Sequence, residues 1–262
     1  MNDQLSQEWK DIKWVFTDVD DTLTWQGSLP PDTLIALQKL RDNDIKVVAV
    51  TGACAGWCDH IAQLWPVDAV LGENGAFLLE KDSGSLQIST EIPLEQIRAN
   101  QAGLKQQIES ILLEYPDLSL TLDQSYRLCE VAIDIGQNRS PVAPEIVQSI
   151  LSKIHALGAH ATASSIHINA WYGQHSKRNA VDRYLNHKGL SLEQIQAQAC
   201  YVGDSMNDEQ MFGWLPLTVG VANIQHYWDK LEHHPSIVMS KPGGLGFSEF
   251  TQKLIARKQS GS

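Results

Sequence analysis

Cysteine, basic residues and long apolar runs are all scarce in this chain of 262 residues. The four cysteines are too few and too scattered for a disulfide framework, and Cys54 and Cys58 lack the second ligand pair of a zinc site, so free thiols are expected. No uncharged apolar run approaches the roughly 18 residues of a membrane span, and the first residues lack the basic and apolar segments of an export signal. We therefore expect a cytoplasmic protein without a membrane partner.

The charge balance is acidic, with 20 Lys and Arg against 31 Asp and Glu and a net charge of −11. Nucleic acids are bound by clusters of basic residues, so the sequence predicts no nucleic-acid partner. A small phosphorylated metabolite remains compatible with this charge, because one lysine and a metal ion can bind a phosphoryl group. Neither a GxGxxG nor a Walker sequence is present, which leaves nucleotide cofactors unsupported.

Apolar, β-branched runs alternate with amphipathic helices in the first part of the chain. The runs 12–16, 45–50 and 68–71 predict strands, with a helix after each of the first two. Nearly continuous apolar strands in this rhythm are typical of a parallel sheet that is covered on both faces. The rhythm resumes after about residue 174, so both ends of the chain are predicted to build one core.

The middle of the chain has a different order of elements. Its predicted elements are helices over 93–115 and 144–157 and strands over 118–122, 128–135 and 161–171. This order is typical of an α+β unit with one open sheet face. We therefore predict an α/β fold with a parallel-sheet core of residues 1–81 and 174–262 and an inserted α+β domain of residues 82–173.

Polar residues follow three of the predicted core strands directly. They are Asp18 and Asp20 after the first, Thr51 and Gly52 after the second, and Asp204, Asn207 and Asp208 after a later strand at 199–202. Ligands of an open parallel sheet bind outside the carboxyl ends of its strands, so these groups are expected to meet, and Lys177 can reach the same crevice. Converging acids raise one another's pKa unless a cation joins them, and oxygen ligands favour Mg²⁺.

This set of side chains suits a phosphoryl group with Mg²⁺, and each residue then has a predicted role. Asp18 attacks phosphorus to form an aspartyl-phosphate, while Asp20 acts as general acid and then as general base. Asp18, the main-chain carbonyl of Asp20 and Asp204 hold the metal, and Asp208 lies behind them to orient Lys177 or a metal-bound water. The predicted ligands of the phosphoryl oxygens are Thr51, Gly52, Lys177 and Asn207.

The chain resembles the haloacid dehalogenase superfamily over its whole length. Residues 18–22, Thr51, Lys177 and residues 203–208 resemble its four motifs in their usual order. The large insert between the second and third motifs resembles that of subfamily IIB, which contains Cof-type sugar phosphatases, sucrose-phosphate phosphatase and mannosyl-3-phosphoglycerate phosphatase. The resemblance implies a Rossmann-like core, an insert that forms a cap over the crevice, and Mg²⁺-dependent phosphatase activity. One departure is Ala53, which follows Gly52 where many relatives have an arginine.

Alternation within the insert separates an apolar face from a polar face that is expected to be open. Glu130, His167, Asn169 and Trp171 are predicted on the polar face, which the resemblance places over the crevice. Polar groups with a tryptophan suit the hydroxyls and the flat face of a sugar, so Glu130, His167 and Asn169 are candidate contacts to the leaving group. An ordinary solvated sheet face would show the same alternation.

The sequence therefore predicts a Mg²⁺-dependent phosphatase, a phosphoric monoester hydrolase that acts on a small phosphorylated metabolite such as a sugar phosphate. A phosphosugar mutase would use the same nucleophile but return the phosphoryl group to the sugar. A phospho-accepting receiver domain also combines acids, Thr, Lys and Mg²⁺, but its acid pair precedes its phospho-accepting Asp and it has no insert. A non-catalytic protein that binds a phosphorylated ligand on this fold is a further alternative.

Overall fold

The computed structural model describes residues 9–164 and 166–259. Residues 1–8, for which no export signal is expected, lie outside this part, as do residue 165 and residues 260–262. Within the described ranges, no helix combines the length and the apolar character that crossing a membrane requires. The four cysteines are buried and free, which confirms the expected thiols.

The first part of the chain alternates strands and helices and then ends in a hairpin. Its elements are β1 (Trp14–Thr17), α1 (Pro31–Asp42), β2 (Lys46–Val50), α2 (Ala55–Leu64), β3 (Ala69–Gly72), β4 (Phe77–Asp82) and β5 (Ser85–Thr90). β1, β2 and β3 are parallel, because a helix returns the chain between them, whereas β4 and β5 are antiparallel additions. The hairpin extends the large sheet to Thr90, although the core segment was predicted to end at residue 81.

The middle of the chain forms a second sheet. Its elements are α3 (Leu94–Leu112), β6 (Val131–Asp134), α4 (Pro144–Ala156), β7 (His160–Ala163) and β8 (His167–Trp171). The strand order is β6-β8-β7, and both pairs are antiparallel. One face packs against α3 and α4 through a cluster of apolar side chains that includes Leu104, Val131, Ile150 and Ile168. This agrees with the predicted apolar face of an α+β unit.

The predicted strand over 118–122 is reduced to one antiparallel bridge, between Leu120 and Ile133. The Thr121 amide donates to the Ala132 carbonyl at 2.9 Å and the Asp134 amide donates to the Ser119 carbonyl at 3.1 Å, and the residues that follow form a 3-10 turn. Gln124 occupies the edge of β6 instead, because its side-chain oxygen accepts from the Ala132 amide at 2.8 Å and its nitrogen donates to the Glu130 carbonyl at 3.0 Å. A side chain therefore replaces part of the missing strand's hydrogen bonds.

The last part of the chain returns to the large sheet. Its elements are α5 (Lys177–His187), α6 (Leu192–Gln198), β9 (Ala199–Gly203), α7 (Glu209–Phe212), β10 (Leu217–Gly220), β11 (Ile237–Val238) and α8 (Gly243–Gln259). The sheet has eight strands in the order β11-β10-β9-β1-β2-β3-β4-β5. β9 and β2 both pair in parallel with β1, so the carboxyl ends of these three strands share one edge.

Helices cover both faces of the large sheet. Val15 and Val47 pack on one face with side chains of α1, α2 and α8. Phe16 and Val48 point the other way and pack with side chains of α5, α6 and α7. This arrangement confirms the predicted α/β fold with a parallel-sheet core. The division into residues 1–81 with 174–262 and an insert of residues 82–173 stays a prediction.

Candidate active site

Asp18 directly follows β1, at the sheet edge between the ends of β9 and β2. Lys177, the first residue of α5, places its Nζ 2.9 Å from Asp18 Oδ1 and 2.7 Å from Asp208 Oδ1. Burial raises the pKa of Asp18 to about 7, although the charge of Lys177 opposes this shift. Burial alone would lower the pKa of Lys177, but Asp18 and Asp208 together raise it, so the lysine stays charged.

Both carboxylate oxygens of Asp208 accept two hydrogen bonds each. Its Oδ1 accepts from Lys177 and from the Tyr201 hydroxyl, and its Oδ2 accepts from the main-chain amides of Asp204 at 2.9 Å and Ser205 at 3.2 Å. A Cβ atom at Gly203 would lie 2.5 Å from Asp208 Oδ2, so this close approach requires a glycine. The Asp208 carboxylate thereby fixes the orientation of Lys177. Orienting Lys177 is one of the two roles that the sequence predicts for Asp208, the other being to orient a metal-bound water.

Asp204 is oriented by two residues from other parts of the core. Thr22 Oγ1 donates to Asp204 Oδ1 at 3.0 Å, and Asn223 Nδ2 donates to Asp204 Oδ2 at 2.8 Å. Asn223 also donates to the Asp21 carbonyl and accepts from the Gly243 amide, both at 3.0 Å. Asn223 was not predicted, although it lies three residues beyond β10, close to a strand end, where side chains that bind ligands are expected.

The carboxylates of Asp18, Asp204 and Asp208 form a group that fits a cation. Each offers an oxygen within 4.8 Å of the others, and all three are buried. Burial, and then the charge of Asp18, raises the pKa of Asp204 well above its ordinary value. Because one lysine faces three acids, a divalent ion with oxygen ligands would restore the balance of charge. The donor set therefore fits Mg²⁺.

A cavity of about 430 Å³ opens beside Asp18. Asp20 is exposed on the cavity wall. The protein atoms around its carboxyl displace water and disfavour the charged form, which raises the pKa of Asp20 above the ordinary value. Gly52, Asp204 and Asn207 also line the cavity. These residues follow β1, β2 and β9, so the side chains at the carboxyl ends of the three strands meet at one cavity, as the sequence predicts.

Two predicted phosphate ligands, Thr51 and Lys177, are not among the residues that line this cavity. Thr51 is fully buried, and its Oγ1 accepts from the Ala53 amide at 3.0 Å instead of facing the cavity. Lys177 lines a second cavity, of about 270 Å³, which shares Asn74 and Asn207 with the first. Lys177 therefore reaches the first cavity through its contact with Asp18.

The polar face of the insert is buried against the core, so the expectation of an open face is wrong. Glu130 accepts from Asn74 Nδ2 at 2.8 Å and from Asn169 Nδ2 at 2.7 Å, and Asn169 Nδ2 also lies 3.2 Å from the Gly52 carbonyl. His167 and Asn169 line the cavity, but Glu130 does not. Asn74 and Gly52 of the core supply partners for Glu130 and Asn169, whereas His167 pairs with Gln137 of the insert at 2.7 Å. Glu130 therefore joins the core to the insert and does not line the cavity.

Glu73 makes the second connection between core and insert. It follows β3 with a φ of +44° and accepts from the main-chain amides of Leu128, Cys129 and Glu130 at 2.7 to 2.8 Å. It also accepts from the Ala55 amide at 3.2 Å, at the start of α2. One buried carboxylate therefore binds the segment of the insert that leads into β6.

Arg127 lies on the cavity wall and was not predicted. Its Nη1 donates to the Gly52 carbonyl at 2.9 Å, and the guanidinium also pairs with Asp123 at 3.2 Å and Glu130 at 3.4 Å. The insert thereby brings an arginine to Gly52, beside the position where Ala53 departs from the family pattern. No local pattern marks Arg127, since a single charged residue before a strand is ordinary.

The family model for haloacid dehalogenase-like hydrolases matches residues 15–126 and 143–234. The chain belongs to this family. It is 22% identical over 248 residues to a phosphoglycolate phosphatase of Methanobrevibacter smithii, and the match covers 93% of this chain and 99% of that protein. The predicted family is confirmed.

Solved structures show the same fold at low sequence identity. A Thermoplasma acidophilum protein has a TM-score of 0.72 at 17% identity, covering 93% of this chain and 98% of that one. The sucrose-phosphatase of Synechocystis sp., solved with sucrose and phosphate, has a TM-score of 0.66 at 12% identity, covering 94% and 98%. A subclass IIB sugar phosphatase has a TM-score of 0.61 at 14% identity, covering 92% and 98%. The fold predicted for this haloacid dehalogenase-like hydrolase is therefore confirmed.

Proposed function

We propose that this haloacid dehalogenase-like hydrolase is a Mg²⁺-dependent phosphatase that acts on a small phosphorylated metabolite, namely a sugar phosphate. The observation that carries the proposal is the contact of Asp18 Oδ1 with Lys177 Nζ at 2.9 Å, beside Asp204 and a cavity that Asp20 lines. In this arrangement Asp18 would be the nucleophile, Lys177 a fixed positive charge and Asp20 the general acid, all around one point. The phosphatases among the relatives support the same class of reaction.

The proposed reaction has two displacements. An oxygen of Asp18 attacks phosphorus while the bond from phosphorus to the leaving oxygen breaks, and Asp20 gives its proton to that oxygen. Asp20 then takes a proton from water, the water oxygen attacks phosphorus, and Asp18 is released as a carboxylate with inorganic phosphate as the product. The pKa of Asp20 is raised above its ordinary value, which is the direction that a general acid requires.

Asp18, Asp204 and the Asp20 carbonyl would hold Mg²⁺ under this proposal. The ion would draw in the phosphoryl oxygens and neutralise part of their charge. Thr22 and Asn223 each bind a different oxygen of Asp204, so they would keep this ligand in one orientation.

The phosphoryl oxygens would be bound by residues on three sides of Asp18. Lys177 supplies a fixed positive charge, while Gly52 and Asn207 line the cavity. Thr51 Oγ1 accepts a hydrogen bond from Ala53 but can still donate its own proton. The set thus combines one charge with several neutral donors.

The test is the hydrolysis of p-nitrophenyl phosphate with Mg²⁺ and with a chelator. We expect Asp18→Asn to lower kcat at least about 1,000-fold, because the amide cannot form the covalent intermediate. Asp21→Asn is the matched control, since it makes the same chemical change three residues along, and among the described residues the partner of its side chain is the Gln26 amide in the adjoining turn. Full activity of Asp18→Asn, or wild-type activity in chelator, would refute the mechanism.

A sugar phosphate assay separates phosphatase from mutase. Release of inorganic phosphate in proportion to the substrate consumed supports the phosphatase, whereas movement of the phosphoryl group between sugar positions without release supports the mutase. If neither p-nitrophenyl phosphate, nor acetyl phosphate, nor any ester in a panel of sugar phosphates is hydrolysed or isomerised, the non-catalytic binding protein becomes the better description.

A further inference from the structure

Trp57 is a large aromatic side chain that stays exposed beside the cavity. It projects from the first turn of α2, and 58% of its surface is exposed. Trp57, His60, Ile61 and Trp65 line the same cavity as Asp18 and Asp20. An exposed apolar surface of this kind at the wall of a site gains free energy when a ligand covers it.

The cavity consequently has two chemically different sides. The insert contributes polar groups, which include Asp123, Arg127, Gln137, His167 and Asn169, whereas the aromatic wall comes from the core. A sugar ring matches both sides, because its hydroxyls form hydrogen bonds at the rim and its C–H face packs on an aromatic ring. The two sides together favour a leaving group with a polar rim and a flat face.

Trp171, which the sequence suggests for this stacking role, does not reach the cavity. Only 5% of its surface is exposed, and its ring stacks between those of His160 and His175, with centroids 5.9 and 5.1 Å away. The aromatic surface available to a ligand therefore comes from α2 of the core and not from β8 of the insert.

The charges around the cavity disfavour an anionic leaving group. Among the described residues that line it, Arg127 is the one permanently cationic side chain, and Glu130 and Asp123 already pair with it. Asp123 on the wall of the insert would repel a carboxylate. A glycolate unit, the leaving group of the phosphoglycolate phosphatase relative, would meet this acid without a free cation to balance it.

The size of the cavity points in the same direction. A volume of about 430 Å³ falls within the range of roughly 300 to 1,000 Å³ that is usual for sites of drug-sized ligands. A two-carbon leaving group would leave most of this volume empty. A ring-sized leaving group would occupy more of it and would cover more of the apolar wall that includes Trp57.

We infer that Trp57 is the specificity-determining residue of this site and stacks on an uncharged, ring-shaped leaving group, namely a monosaccharide unit. The inference rests on the proposed function and adds to it the residue that recognises the shape of the leaving group. Trp57 contacts the leaving group and takes no part in the transfer of the phosphoryl group.

The test compares kcat/KM for the best substrate in a panel of monosaccharide phosphates with kcat/KM for acetyl phosphate, which carries no ring. We expect Trp57→Ala to lower the ratio of the two constants about ten-fold, and Trp57→Phe to keep it within about three-fold of the wild type. Leu64→Ala is the matched control on the same helix, because Leu64 is 69% exposed and is not among the residues that line the cavity. The control should leave both constants unchanged.

Three results would overturn the inference. They are an unchanged ratio in Trp57→Ala, a wild-type preference for phosphoglycolate over every monosaccharide phosphate, and a preference for aryl phosphates over all of them. Acetyl phosphate separates this failure from that of the proposed function. If the wild type hydrolyses acetyl phosphate in a manner that needs Mg²⁺ and Asp18, the phosphatase stands and only the sugar subsite falls. If it hydrolyses no phosphate compound, the proposed function fails and this inference fails with it.

Discussion

Glu73 joins the core to the insert, and Glu73→Gln should weaken that connection without leaving a cavity. Glutamine has nearly the same shape, but its NH₂ group cannot accept a hydrogen bond. One oxygen of Glu73 accepts from the amides of Cys129 and Glu130, and the other accepts from those of Ala55 and Leu128. Whichever oxygen is replaced, two main-chain N–H groups lose their acceptor.

The expected loss follows from these contacts. Each buried N–H group that is left without a partner costs about 1 to 3 kcal/mol, so the free energy of unfolding should fall by about 2 to 6 kcal/mol. Part of this loss would be recovered if the insert moves away and its amides bind water. In that case Arg127 would leave the Gly52 carbonyl, and kcat/KM would fall with the stability.

The assay is urea denaturation of the wild type, Glu73→Gln and Glu109→Gln, combined with amide hydrogen exchange. Glu109 is an exposed glutamate on α3 that pairs only with Lys105, so its substitution should change the free energy of unfolding by less than about 0.5 kcal/mol. Exchange should become faster at residues 128–130 and stay slow in β9. If Glu73→Gln is as stable as the wild type and the amides of residues 128–130 stay protected from exchange, the Glu73 carboxylate does not stabilise the connection between core and insert.

Two further predictions concern the metal and acid stability. Asn223→Ala should weaken the apparent Mg²⁺ affinity about ten-fold, because Asp204 loses one of its two orienting hydrogen bonds; an unshifted Mg²⁺ titration of activity would contradict a role for Asp204 as a ligand. Burial, aided by Arg183 and His160, lowers the pKa of His175 to about 4, so the unfolded chain binds a proton at a higher pH than the folded one does. Stability should therefore fall as the pH drops from about 6.5 to about 4, by roughly 3 kcal/mol for this residue, and His175→Gln should flatten that part of the pH profile of the unfolding free energy.

Local patterns were sufficient for the core and for the position of its acids. Val15, Val47 and their neighbours lie in runs whose apolar character reflects burial on both faces, which is a property of short segments. Asp18 and Asp204 follow such runs directly, and parallel pairing necessarily brings the ends of their strands to one edge. Residues 18–22, Thr51, Lys177 and residues 203–208 resemble the four motifs of the family in their usual order, and the match of the family model confirms the predicted family.

Local patterns failed where one side chain replaces an element or binds a distant one. Gln124 takes the place of the expected strand over 118–122 by binding the edge of β6, and no periodicity encodes that substitution. Alternation identified the polar face of the insert correctly but not its burial, because burial depends on Glu73 and Asn74 in the core.

The sequence by itself determined the fold class, the family and the acids at the strand ends. Only the tertiary structure decided how the insert lies over the crevice, that Arg127 reaches Gly52, and that the aromatic wall comes from Trp57 and not from Trp171. The physical reason is the range of the interactions. Strands and their ends follow from burial within a few residues, whereas the contact of Arg127 with Gly52 joins positions 75 residues apart and leaves no pattern in either segment.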